Sequence, residues 1–192
     1  MATAFFITHP EVVIDPKIPV PDWALSPQGL SRLEQMVKQP WVASLGSVWA
    51  SAEKKAQESA SLLATHLALE VNTLPALGEN DRSATGYLPP DEFQKTADAF
   101  FAQPDRSIQG WETALDAQAR IVEAANHVLA HSDPDRDLAM VSHGGVGALL
   151  LCHLKQAAIS RDWDQTEKGG GSVFSFNTAT WQVLFEWRPI DG

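Results

Sequence analysis

The chain has 192 residues, which fits one domain of about 100 to 200 residues and is long enough to bury a sizeable core. Lys and Arg number 14 against 24 Asp and Glu, and the formal net charge of -10 repels polyphosphate backbones and anionic bilayers, arguing against nucleic acid and membrane partners. Any anionic ligand therefore needs a local basic pocket.

The single cysteine, Cys152, sits in the apolar run Leu149-Leu150-Leu151-Cys152 and reads as a buried thiol in a reducing compartment. The start MATAFFITHP has no basic region followed by a long apolar stretch, and no run approaches the ~18 residues that span a bilayer, so the expected location is cytoplasmic.

In chain order, Ala4 to Thr8 is short and apolar, as a buried strand requires. After a loop through Pro16, Pro19 and Pro21, Ser26-Pro27-Gln28-Gly29 opens a helix towards Lys38, with Ser26 as N-cap and Pro27 at the first helical position. Gly46 to Ser51 is a second strand. Ala56, Ala60, Leu63 and Leu67 then recur at helical spacing, in a helix expected to be capped by Ser51. Val71 to Leu77 reads as a third strand. Residues 78–110 form a long polar and aromatic excursion with one short helix around Asp91 to Phe101, of the kind that covers a site. Ala114 to Ala130 is an amphipathic helix, Leu138 to Ser142 a buried strand and Val146 to Leu154 an apolar helix. Ser172 to Asn177 and Trp181 to Trp187 make a terminal hairpin. The alternation predicts one α/β domain over residues 1–192, a three-layer α/β/α arrangement with a mostly parallel central sheet, and a ligand site beyond the carboxyl ends of its strands.

Two histidines stand at that edge. His9 follows Phe5-Phe6-Ile7-Thr8, and His143 follows Leu138-Ala139-Met140-Val141-Ser142 and precedes Gly144-Gly145. One strand-end histidine is ordinarily structural. Two at equivalent positions, one followed by glycines that let backbone N–H groups approach a ligand, point to chemistry.

The order of motifs resembles the histidine phosphatase superfamily, the phosphoglycerate mutase-like proteins. Where that family has Arg-His-Gly, this chain has Thr8-His9-Pro10. The Ser, spacer and Arg-Ala-x-x-Thr-Ala pattern is matched by Ser51 to Ala60, with Lys55 at the arginine's place. Leu77-Gly78-Glu79 matches the Leu-x-Glu setting, and Ser142-His143-Gly144 the final Ser-His-Gly, so the likeness spans roughly residues 5 to 155.

The resemblance implies a metal-independent phosphomonoesterase acting through a phosphohistidine intermediate on a small phosphorylated substrate, with no cofactor. In it His9 is the nucleophile, Glu79 the proton donor to the leaving group and later the activator of water, and His143 a donor to phosphoryl oxygens. Lys55, Thr8 and Gly144 fall at phosphate-binding positions, and Arg82, three residues after Glu79, is the replacement cation. The departures weigh against efficient transfer. Charge-assisted hydrogen bonds contribute about 1.5 to 3 kcal/mol each, Lys55 offers a point charge in place of a fork, and Pro10 removes a backbone N–H. The alternative is a catalytically impaired relative that binds a phosphorylated ligand or a partner protein. A mutase needs an extended basic pocket, whereas the excursion carries only Arg82, Lys95 and Arg106.

Other signals are weaker. His127 and His131 lie on one helix four residues apart and read as a solvated face, with no third metal ligand suggested. His143-Gly144-Gly145 is similar to an esterase oxyanion loop, but no Gly-x-Ser-x-Gly elbow exists. Lys168 to Ser172 reads as a flexible turn, and Trp111 with Tyr87 as a pocket wall. The sharpest expectation is geometric: His9 and His143 converge within ~8 Å on one anion site, beside Lys55.

Overall fold

The computed structural model describes residues 2–167 and 169–192; Lys168, the first residue of the expected glycine-rich turn, lies outside them. Six strands form one sheet: β1 (Thr3–Thr8), β2 (Leu45–Ala50), β3 (Val71–Thr73), β4 (Asp137–Ser142), β5 (Ser172–Asn177) and β6 (Val183–Pro189). Their spatial order is β3-β2-β4-β1-β5-β6. The β3–β2, β2–β4 and β4–β1 pairings are parallel, and β5 and β6 add antiparallel at the β1 side.

Both faces of the sheet are covered, which is why its central strands are apolar without alternation. The period of two along a strand divides them between two cores. Ala4 and Phe6 of β1, with Leu138 and Met140 of β4, face a core shared with α3 (Pro90–Ala102), α4 (Ala114–Ala130) and α5 (Gly144–Leu154). Phe5, Ile7, Ala139 and Val141 face the opposite core, against α1 (Pro27–Met36) and α2 (Lys54–Leu67). Helix α5 is buried from Val146 through Cys152 because it lies between the sheet and α4, which explains its uniformly apolar sequence. Burial pushes the Cys152 thiol up from its ordinary value, as expected of an inert core cysteine. Among the described residues no helix is long and apolar enough to cross a membrane.

Ser26 caps α1 as expected, its side chain accepting from the Gly29 N–H. Two local expectations are corrected. The third strand stops at Thr73 instead of Leu77, because Pro75 has no N–H for the ladder and Pro75–Leu77 turns as a 3-10 segment. Ser51 is not the cap of α2: that helix starts at Lys54 with Glu53 as N-cap residue and no side-chain capping bond.

Phe174 packs on Phe6 with ring centroids 5.1 Å apart and on Trp187 at 4.7 Å, tying β5 to the strand that carries His9. Phe174→Ala is expected to lower unfolding free energy by about 3–5 kcal/mol in chemical denaturation, the range for emptying a buried aromatic site.

Candidate active site

Strands β1 and β4 are parallel neighbours with Thr8 opposite Ser142, and the His9 N–H donates to the Ser142 carbonyl at 3.2 Å. The residues that follow, His9 and His143, therefore leave the sheet side by side. Their ring centroids are 5.2 Å apart and their planes 66° to each other. This convergence is well inside the expected limit.

The His9 Nδ1 lies 2.8 Å from the Pro10 carbonyl oxygen, which can only accept. Nδ1 thus carries the proton and Nε2 the lone pair. Burial, with the neighbouring His143, pushes the His9 imidazole down to about 3, so it is neutral near pH 7. His143 Nε2 sits 2.7 Å from Ser51 Oγ and 3.3 Å from Glu53 Oε1. Its Nδ1 is buried with no hydrogen-bond partner among the described residues. Burial pushes this imidazole also down to about 3, with Glu53 pulling the other way and Lys55 assisting.

At the centre stands a residue that the motif pattern does not mark. Glu53 lies at the N-terminus of α2, its Oε2 on the Lys55 ammonium and its Oε1 near His143 while accepting the Glu79 N–H at 3.0 Å. Burial pushes the Glu53 carboxyl up, but His143, Lys55 and these hydrogen bonds outweigh it and hold it at about 2. Lys55 itself is buried and also donates to the Val20 carbonyl at 2.8 Å. Its charge is already answered by Glu53.

Glu79 lies across the start of α5. Its Oε2 accepts from the Gly145 N–H at 3.1 Å, and its Oε1 from the Val146 N–H at 3.0 Å and the Asn80 N–H at 3.1 Å. A helix N-terminus presents free N–H groups and a positive dipole end to a carboxylate, so Glu79 serves as the cap that His143 does not supply. Gly145 is required by this approach, since a Cβ there would stand 2.7 Å from Glu79 Oε1. Arg120, on α4, pins the loop from behind by donating to the carbonyls of Ala76, Gly78 and Glu79 at 2.8, 2.9 and 3.1 Å. It also pairs with Glu112 at 2.8 Å.

Thr8 is fully buried, and its hydroxyl donates to Gln165 Oε1 at 2.7 Å and accepts from the Ser172 N–H. The Gln165 amide also packs on Gly144, where a Cβ would collide with Nε2. Arg82 stacks over Phe93 and Trp111, 5.2 and 5.6 Å from the ring centroids, and its charge helps keep His143 neutral. Asp81, next to it in the chain, accepts from the Ser83 N–H at 2.8 Å. Trp111 is a core residue that carries Arg82 on its face, while Tyr87 leans on Trp23 with centroids 5.8 Å apart. His127 and His131 are exposed and stacked at 4.0 Å, and no group of three metal-ligating side chains exists among the described residues.

His9, His143, Lys55 and Glu79 are thus brought to one place, while Thr8 binds protein groups and Arg82 rests on aromatics. Ser51, Glu53, Arg120 and Gln165 complete the constellation. The sequence held one sign of Glu53: an acidic residue in the spacer where a phosphate site calls for positive charge.

A sequence model of the histidine phosphatase superfamily (branch 1) matches residues 18–186. That span begins after Thr8-His9-Pro10. Nothing matches among curated proteins. Among solved structures, Bacillus stearothermophilus YhfR superposes with a TM-score of 0.80 at 19% identity, over 95% of this chain and 94% of that one. A mycobacterial glucosyl-3-phosphoglycerate phosphatase in complex with inorganic phosphate gives 0.75 at 18% identity, over 98% and 95%. A phosphoserine phosphatase mutant from Entamoeba histolytica in complex with phosphoserine gives 0.77 at 13%, over 96% and 94%. At these identities the likeness speaks to the fold.

The neutral imidazoles predict acid lability. His9 and His143 fall from an ordinary 6.5 to about 3 in the folded chain, so between those values the unfolded chain binds protons that the folded one refuses, and stability drops as pH falls. Glu53, lowered from 4.5 to about 2, adds to the loss at the acid end. Urea unfolding across this range should give a steeper pH dependence for the wild type than for His9→Gln; equal slopes would contradict the buried neutral His9.

Proposed function

The chain belongs to the histidine phosphatase superfamily, branch 1, and we propose that within it the protein is a metal-independent phosphomonoesterase that carries the phosphoryl group on His9. The observation that carries this reading is the His9 tautomer: Nδ1–H is committed to the Pro10 carbonyl at 2.8 Å, which leaves a neutral Nε2 lone pair beside His143. A nucleophile that is neutral near pH 7 needs no activating base.

In the first step Nε2 attacks phosphorus. The N–P bond forms, the ester P–O bond breaks with its electron pair on the ester oxygen, and that oxygen takes a proton and leaves as the alcohol. Water, giving a proton to Glu79, then attacks phosphorus, the N–P bond breaks with its electron pair returning to Nε2, and inorganic phosphate departs. His143 Nε2–H and Lys55, both in contact with Glu53, are the side-chain donors offered to the developing charge. Glu79 is the candidate acid and base, held against α5 by backbone bonds and behind by Arg120. The solved relatives that hold inorganic phosphate or phosphoserine support a small phosphorylated ligand.

One observation favours a second reading, the impaired relative that binds a phosphorylated ligand without turning it over: the Lys55 charge is already matched by Glu53. Hydrolysis of p-nitrophenyl phosphate separates the two. The phosphatase reading expects turnover that a chelator leaves intact and that His9→Ala reduces by at least about a thousandfold; no turnover by the wild type favours the binding protein. For role assignment, Glu79→Gln should slow alkyl phosphates by about 10²-fold or more, and aryl phosphates, whose leaving groups need little protonation, far less. Equal losses would remove Glu79 from the acid's role.

A further inference from the structure

We propose that Glu53 makes the site selective for the monoanion of a phosphate monoester, so that the phosphoryl group enters with one proton and donates that P–O–H to the Glu53 carboxylate. The proposal rests on the reading that the His9–His143 site takes a phosphoryl group.

Glu53 lies among the donors that a phosphoryl oxygen needs. Oε2 is on Lys55, and Oε1 is 3.3 Å from His143 Nε2 and 3.0 Å from the Glu79 backbone N. The carboxylate is fixed there by three contacts, from α2, from the end of β4 and from the loop at Glu79. A phosphoryl group that reaches His9, Lys55 and His143 must therefore lie against it. Lone pair against lone pair is repulsive, whereas a protonated phosphoryl oxygen supplies the donor that a carboxylate requires.

The charges agree. Facing Glu53 are neutral His9 and His143 from the strand ends, the Lys55 ammonium from α2, the Glu79 backbone N–H from the loop and, at longer range, Arg120 from α4. Lys55 cancels Glu53, Arg120 is shared between Glu112 and the Glu79 region, and among the described residues a dianion meets no spare positive charge except through Arg82, which rests on Phe93 and Trp111. A monoanion halves the charge to be compensated. The proton resides on the phosphoryl oxygen, because the Lys55 ammonium and the hydrogen bonds from Lys55 and the Glu79 N–H hold Glu53 ionised.

The test is the pH dependence of kcat/KM for p-nitrophenyl phosphate and for an alkyl phosphate, whose second ionisations lie near pH ~6 and differ between the two. For the wild type, kcat/KM should fall about tenfold per pH unit above each substrate's own second pKa, the limb moving with the substrate. Glu53→Gln, which keeps the shape and can donate, should lose that limb and exceed the wild type by about tenfold or more two units above it. Glu53→Asp, which keeps the charge, should retain the limb. Binding of inorganic phosphate, followed by 31P NMR, gives a readout free of turnover: the wild type should bind more tightly below phosphate's second ionisation than above it, and Glu53→Gln should lose that preference. Binding with this pH dependence but no hydrolysis supports Glu53's role while removing the phosphatase reading. A limb or binding preference unchanged in Glu53→Gln overturns the proposal, as does a wild type that prefers the dianion or binds no phosphate at either pH.

Discussion

The register of β1 on β4 is the constraint from which the site follows. With Thr8 opposite Ser142 and the His9 N–H bonded to the Ser142 carbonyl, the next residue of each strand projects from the same sheet edge, and the imidazoles meet at 5.2 Å. Side chains alternate along a strand, so a slip by one residue would turn one histidine away and reverse the faces of Phe5, Phe6 and Ile7. The two cores forbid that slip, because each takes alternate residues of the same strands. Hydrophobic burial thus sets the geometry of a polar site.

Charge shapes what the site can accept. A chain of formal charge -10 must gather its positive groups locally to hold an anion, and here Lys55 and Arg120 are already committed to Glu53 and Glu112. Helix ends supply part of what side chains do not. The N–H groups at the start of α5 hold Glu79, so its carboxylate and His143 are positioned by one helix. Neutral histidines suit such a place, since burial withholds protons from both.

Much of the fold was legible because its signals are local. Short apolar runs marked β1 and β4, the shorter Val48-Trp49-Ala50 marked β2, and helical spacing marked α2 and α4. Ser26 with Pro27 marked a helix start correctly, whereas Ser51 gave a false one: its hydroxyl is 2.7 Å from a histidine 92 residues away, a partner that no local pattern reveals. His9, His143, Lys55 and Glu79 could be read together through the order of motifs. Glu53 could not, because residues two apart do not share a helix face, and it meets Lys55 only by standing at the end of α2 outside the helical repeat. Gln165 and Arg120 escaped for a similar reason, since their partners, Thr8 and the carbonyls of residues 76, 78 and 79, are distant in sequence.

The central claim is that His9 takes the phosphoryl group, and the most direct measurement is to trap it. Enzyme turning over an aryl phosphate would be quenched into alkali, where phosphohistidine persists, and its peptides weighed by mass spectrometry. The account predicts one phosphoryl group on the peptide bearing Thr8-His9-Pro10, located on His9. A phosphoryl group on Ser51 or another residue, or steady turnover with none on His9, would contradict it.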